Sequence, residues 1–252
     1  MNILVTNDDG LYAPGIQVLY RYLRERHNVK IVAPDRDRSG VSHGVSIARN
    51  LKIAERGVDC YECSGLPADC VYFGINSLFS GKPDLVISGI NKGANLGTDV
   101  IYSGTAAGAR ESVLLGVPGI AVSLADINGP WFFEPLAEFV SNNTENFVSM
   151  AVPLTFMNVN AMSLPEGSGE RKYPGVRFSY LSSRKYSDGV NIVESDDGTK
   201  NYTLYTGGII QEEPPEESDW DIVLKGFISI SFVGAYPKEV CHKSIESRGF
   251  II

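Results

Sequence analysis

No stretch of this sequence stays apolar for the roughly 20 residues that a membrane-spanning helix requires, so no membrane partner is expected. The N-terminus lacks the basic-then-apolar layout of a secretory leader. Met1 runs directly into a strand-like segment, and a cytoplasmic protein is expected. Basic charge is not in excess either: 22 Lys and Arg face 30 Asp and Glu, a net charge of −8. A chain that grips a phosphate backbone needs a basic face, so no nucleic-acid partner is expected. The acid excess sits mainly in residues 131–252, with 10 basic against 17 acidic side chains, compared with 12 against 13 in residues 1–130. It is densest in QEEPPEESDWD (211–221), which reads as a solvated loop. Cysteine is scarce: Cys60, Cys63, Cys70 and Cys241. Cys60-Tyr-Glu-Cys63 has the C-x-x-C form but lies within a strand-like run, and no further ligands follow at zinc spacing, so ordinary reduced thiols are expected. The Walker order GxxxxGK[ST] is missing, and so is the GxGxxG fingerprint, which weakens a dinucleotide reading.

What is present is an alternation of strand and helix. ILVT (3–6), VKIVA (29–33), DLVISG (84–89) and GIAVSL (119–124) are short runs without polar alternation. Between them, apolar residues fall at helical spacing from Pro14, from Pro67 and over about 104–115. Such runs, separated by amphipathic helices, predict a parallel sheet covered on both faces, and right-handed crossovers make it doubly wound. Residues 45–63 break the pattern and predict an inserted hairpin. Helical periodicity covers about 131–150, and LTFMNVNA (154–161) is a strand. Beyond it lie hairpin-like pieces with turn signals at Ser187-Asp-Gly and Asp196-Asp-Gly, a short helix in WDIVLKGF, and the strand FISISFV (227–233).

In an open α/β sheet, ligands bind beyond the carboxyl ends of the strands. The first strand ends in Asn7-Asp8-Asp9-Gly10. Asp-Asp-Gly is good turn chemistry, and taken alone the turn reading leads. The alternative is a cation site, where a hard dication such as Mg²⁺ would relieve the repulsion between Asp8 and Asp9. The second strand ends in PDRDRSGVSHG (34–44). Ser39 can complete a metal shell. Arg36 and Arg38 either meet a phosphate or pair within the loop. His43 is either a general acid for a leaving oxygen or a structural hydrogen-bonder. The third strand releases SGINKGANLGTDVIYSGT (88–105), where glycines alternate with Asn91, Asn95, Ser103 and Thr105. Ser103-Gly104-Thr105 stands where a helix begins, a place suited to an anion. A capped glycine-rich loop is the plainer alternative.

Taken together, NDDG, VAPDRDRSG, GLPADCVYFGIN and SGINKGANLGTDVIYSGT resemble the SurE family, the stationary-phase survival proteins, which are metal-dependent 5′/3′-nucleotidases. The resemblance covers residues 1–125 closely. It is looser beyond, where MNVNAMSLP, YTGG and GFISISF fall near family segments. It implies a Rossmann-like three-layer core over 1–130, with 131–252 completing the core and adding a β-rich extension with hairpins. That extension would be used in oligomerisation, as a homodimer or a tetramer. It also implies one divalent metal ion per subunit, Mg²⁺ or Mn²⁺, on Asp8, Asp9, Ser39 and Asn91, and phosphate contacts from Asn95, Ser103, Gly104 and Thr105. The expected reaction is hydrolysis of nucleoside monophosphates, with Asp8, Asp9 and His43 as the catalytic candidates. Water activated by Asp8 or Asp9 attacks in line, or Asp8 itself attacks phosphorus. The alternatives are a short-chain polyphosphatase or general phosphatase, and a catalytically silent nucleotide sensor. Two departures from the family pattern stand out: Gly65-Leu66-Pro67 in place of Gly-Thr-Pro, and Phe232-Val-Gly-Ala-Tyr in place of Thr-Pro-Leu.

Overall fold

Ile3, Leu4 and Val5 are fully buried in the first strand, and they face opposite ways. Ile3 and Val5 join one core cluster with Ile16 and Leu19, while Leu4 joins another with Val71 and Ile75. Each such side chain contributes roughly 1.5–3 kcal/mol by leaving water. Two buried faces on one strand require helices on both sides of the sheet. The structure, a computed structural model, describes residues 1–237 apart from 127, 165–171, 196, 206 and 211–212.

The elements in chain order are β1 (Asn2–Thr6), α1 (Pro14–Leu23), β2 (Asn28–Pro34), β3 (Ile53–Gly57), β4 (Cys60–Cys63), α2 (Pro67–Ser77), β5 (Leu85–Lys92), a short 3₁₀ helix (Gly97–Ile101) and α3 (Gly104–Leu114). They continue with β6 (Gly119–Leu124), α4 (Glu134–Asn142), α5 (Thr144–Ser149), β7 (Thr155–Ala161), β8 (Val176–Ser179), β9 (Gly189–Glu194), β10 (Lys200–Tyr205), α6 (Asp219–Leu224) and β11 (Ile228–Gly234). Nine strands form one sheet in the order β3-β4-β2-β1-β5-β6-β7-β11-β8. All neighbours from β4 to β7 are parallel, whereas β3 runs against β4 and β11 against β7, with β8 parallel to β11 at the edge. The fold is therefore α/β, with a mostly parallel sheet between helical layers.

After β1 the chain builds outward on one side through β2 and β4, then crosses back with α2 to place β5 on the other side of β1. The strand order reverses between β1 and β5, and the carboxyl ends at such a reversal are where open α/β sheets take their ligands. Gly108 lets α3 lie flat above this point, since a Cβ there would come within 2.7 Å of Ser88 Oγ and 2.9 Å of the Thr6 methyl.

Three expectations change. The periodic stretch 131–150 is two helices, broken at Asn143, whose side-chain amide donates to the Phe139 carbonyl (2.8 Å) and whose amide oxygen accepts from Asn146 (2.9 Å). These local bonds compete with the helical ladder. The inserted hairpin is confined to 53–63, and its second strand pairs in parallel with β2, so it extends the main sheet. The last third is more ordered than its sequence suggests: β7 and β11 belong to the central sheet, and β9 and β10 form a separate hairpin. Cys60, Cys63 and Cys70 are free thiols, while Cys241 lies outside the described residues.

Candidate active site

Asn7 shapes the turn after β1. Its side-chain amide donates to the Gly10 carbonyl (2.9 Å), and its oxygen accepts from the Gly10 N–H (3.2 Å). Gly10 adopts φ +103°, in the region that favours glycine. This closed turn aims Asp8 inward, and only 4% of its surface stays exposed.

The Asp8 carboxylate meets the start of α3. Thr105 Oγ1 donates to it at 2.5 Å, and the Thr105 backbone N–H stabilises it as well. Gly104 makes this approach possible, because a Cβ at that position would stand 2.8 Å from Asp8 Cβ and Oδ2. Burial pushes the Asp8 carboxyl above its ordinary pKa, and the Thr105 bonds only partly oppose it. Asp9 is pushed up to about 6 by burial and by the charge of Asp8. The Lys92 N–H approaches Asp9 at 3.4 Å. Asp37 lies close enough to raise both carboxyls further. Two adjacent carboxylates are thus held partly out of water, and their mutual repulsion is one that a divalent ion would relieve.

Ser39 and Asn91 leave neighbouring strand ends. The Ser39 hydroxyl and N–H both donate to Asp37 Oδ1, at 2.6 and 2.7 Å, so its oxygen keeps its lone pairs. Asn91 Nδ2 donates to the Gly93 carbonyl (3.0 Å), which leaves the amide oxygen as its free acceptor. Asn91 sits just past an irregularity in the β5–β6 register. Among the described residues no group of three or more His, Cys, Asp or Glu side chains could share a metal ion. Any cation here would rest on two carboxylates plus neutral oxygens, a donor set that suits a hard ion such as Mg²⁺ or Mn²⁺.

The third loop is fixed from behind. The Asn95 carbonyl accepts from Asn158 and Asn160 (2.8 and 3.1 Å), its N–H donates to Asn160, and its side chain donates to Ser123 (2.8 Å). Asp219, fully buried, accepts from the N–H groups of Gly97 and Ser182. Asp99 accepts from Arg184 (2.6 Å) and Tyr186. Ser103 is the N-cap of α3, its oxygen accepting from Ala106 N–H (2.9 Å).

The structure therefore gathers Asp8, Asp9, Gly104 and Thr105 into one cluster. It does not bring His43 into it. His43 Nε2 is 2.8 Å from Glu111 Oε2, and Glu111 lies two turns along α3 from Gly104, about 10 Å at the helical rise. Arg38 pairs with Asp35 and with the Ser64 carbonyl, while Arg36 has no partner among the described residues. Sequence reasoning missed Asp37 as the holder of Ser39, although the alternating charges marked it. It also missed Asn158, Asn160, Arg184 and Asp219, for which no local motif exists.

The sequence profile described as "Survival protein SurE" matches residues 3–188. The "5'-nucleotidase SurE" of Thermosipho melanesiensis is 39% identical over 255 residues, covering 98% of this chain and 97% of its own. That of Kosmotoga olearia is 39% identical over 242 residues, covering 94% and 93%. The crystal structure of the SurE protein from Aquifex aeolicus superposes with a TM-score of 0.81 at 33% identity, over 94% of this chain and 95% of that one. Glycine, amide and carboxylate positions around one sheet edge, a sequence profile and a shared architecture converge: this chain belongs to the SurE family.

Proposed function

We propose that this chain is a 5′-nucleotidase that hydrolyses nucleoside 5′- and 3′-monophosphates to nucleoside and phosphate. The observation that carries the reading is the buried Asp8 beside the half-buried Asp9 at the reversal of strand order, with Asp8 held by Thr105 at the start of α3. The relatives named 5′-nucleotidase support it.

Asp8, Asp9, Ser39 and Asn91 would hold one Mg²⁺ or Mn²⁺ per subunit. Such an ion supplies Lewis-acid polarisation and charge neutralisation at the phosphoryl group. The chain's own residues do the rest. Thr105 keeps Asp8 in one orientation. Asp9, whose carboxylate accepts only the long Lys92 contact among the described residues, takes the proton of the attacking water. The Gly104 N–H, the Ser103 hydroxyl and the second amide hydrogen of Asn95 hold phosphoryl oxygens as charge redistributes. His43, bound to Glu111, holds the second loop against α3. A cavity of about 570 Å³ next to Lys92, walled by Pro14, Trp131 and Phe133, gives room for the nucleoside. The β9–β10 hairpin exposes Val190, Ile192, Val193 and Tyr202, which supports a role in a homodimer or tetramer. The described residues contain no helix long and apolar enough to cross a membrane.

Steady-state phosphate release from AMP and GMP with added Mn²⁺ tests the reading. Turnover by the wild type is expected, and Asp8→Asn should lower kcat by orders of magnitude. Tight nucleotide binding without phosphate release would replace the enzyme with a sensor, and unchanged turnover in Asp8→Asn would remove Asp8 from the reaction.

A further inference from the structure

The chain carries a net charge of −8, yet one cavity beside the candidate site is lined by three arginines. It measures about 470 Å³ and lies between the loop after β2 and residues 45–51, with Ser64, Gly65 and Leu66 as its floor. Arg36, Arg38 and Arg49 face it, and no Asp or Glu lines it. Two carboxylates lie nearby. Asp35 is engaged by Arg38 at 2.9 Å. Asp69 is turned away, accepting from the Ser46 N–H and hydroxyl and from the Leu66 N–H.

The guanidinium groups are under-used. Arg36 and Arg49 meet no hydrogen-bond acceptor and no carboxylate among the described residues. Arg38 gives one nitrogen to Asp35 and the Ser64 carbonyl, but its Nε is buried with no acceptor. A buried donor without a partner is costly, and an arginine fork matches two oxygens of a phosphate at once. The cavity also adjoins the first loop, because the Arg38 backbone N–H donates to the Asp8 carbonyl at 2.7 Å. One residue thus belongs to both the metal-site loop and the basic cavity.

We propose that this cavity is an anion subsite for a second phosphate, carried by the same ligand whose first phosphate lies at Asp8–Asp9. The ligand class is a nucleotide with two separated phosphates. The proposal rests on the phosphomonoesterase reading for the first phosphate, while the basic cavity stands on its own geometry. Arg36 and Arg49 are exposed and unpartnered, so replacing them leaves the fold intact, whereas Arg38 is structural and is left in place.

Two measurements on the full-length chain test it. In buffer without divalent cations, calorimetric titration with inorganic pyrophosphate should show binding, and Arg36→Ala/Arg49→Ala should weaken it tenfold or more. No binding by the wild type, or equal binding by the double variant, overturns the subsite. With Mn²⁺ present, the ratio of kcat/KM for adenosine 3′,5′-bisphosphate over AMP should fall about tenfold in the double variant. An unchanged ratio alongside lost pyrophosphate binding means that the cavity takes free anions only, which overturns the claim that substrate carries the second phosphate. Absence of turnover with both nucleotides would count against the phosphomonoesterase reading, and pyrophosphate binding would still decide the cavity.

Discussion

The loops after β1 and β2 leave the same edge of the sheet, but they are held in opposite ways. The first is closed by Asn7, buried, and clamped to α3 through Asp8 and Thr105. The second is mostly exposed: Arg38 and His43 tie its flanks to Ser64, the Asp8 carbonyl and Glu111, but at Ser39 itself it is held by its own Asp37. The proposed metal ligands are therefore unequal. Asp8 is fixed by its surroundings and cannot be moved without moving a helix, whereas Ser39 is fixed by one neighbouring carboxylate.

The sharpest way to break this comparison is Gly104→Ala. The added methyl has no space beside Asp8, so either the carboxylate or α3 must shift. A displacement of this kind near the reacting groups costs on the order of 100-fold in kcat/KM. Normal activity in this variant would mean that Asp8 is not confined as described. A smaller loss is expected for Ser39→Ala, which removes one neutral oxygen from an exposed loop. The Mn²⁺ concentration giving half-maximal activity should rise by roughly 10-fold, with kcat recovered at saturating metal. If Ser39→Ala is as damaging as Asp8→Asn, the two loops are equivalent and the contrast fails.

The smallest effect is one of stability. The Asp9 carboxyl titrates near 6 in the folded chain against an ordinary value of 3.8. The folded state thus binds more protons than the unfolded state between about pH 4 and 6, and the stability this contributes at low pH is lost as pH rises through that window. Without divalent cations, Asp9→Asn should match the wild type near pH 4 and melt a few degrees higher above pH 6, measured by calorimetry. A wild type more stable than Asp9→Asn at pH 7 under those conditions would reverse the sign of this argument.

The parallel core was legible because its signal is local: buried strand runs alternate with amphipathic helices, and topology rules then place the loops of β1, β2 and β5 at one edge. For the same reason Asp8, Asp9, Gly104 and Thr105 could be named from their positions at strand and helix ends. What holds them was not legible. Nothing around Asn158 or Asp219 in the sequence indicates that they bind residues about 60 and 120 positions earlier. Asn95 looked like a free amide in a glycine-rich loop, but most of its polar groups are committed to β6 and β7. The break at Asn143 was hidden because the apolar periodicity continues across it. It is set by bonds of the Asn143 side chain to the Phe139 carbonyl and the Asn146 amide, which periodicity does not record.

The attachment of the third loop to Asn158, Asn160, Arg184 and Asp219 bears on how the protein is made. The chain emerges from its N-terminus, so Asp8, Asp9 and residues 91–105 are synthesised first. The acceptor that fixes the Gly97 N–H arrives more than a hundred residues later. A nascent chain ending before α6 can form the early strands but lacks the brace for its third loop. The third loop thus takes its final hold only after α6, late in the chain, has been made.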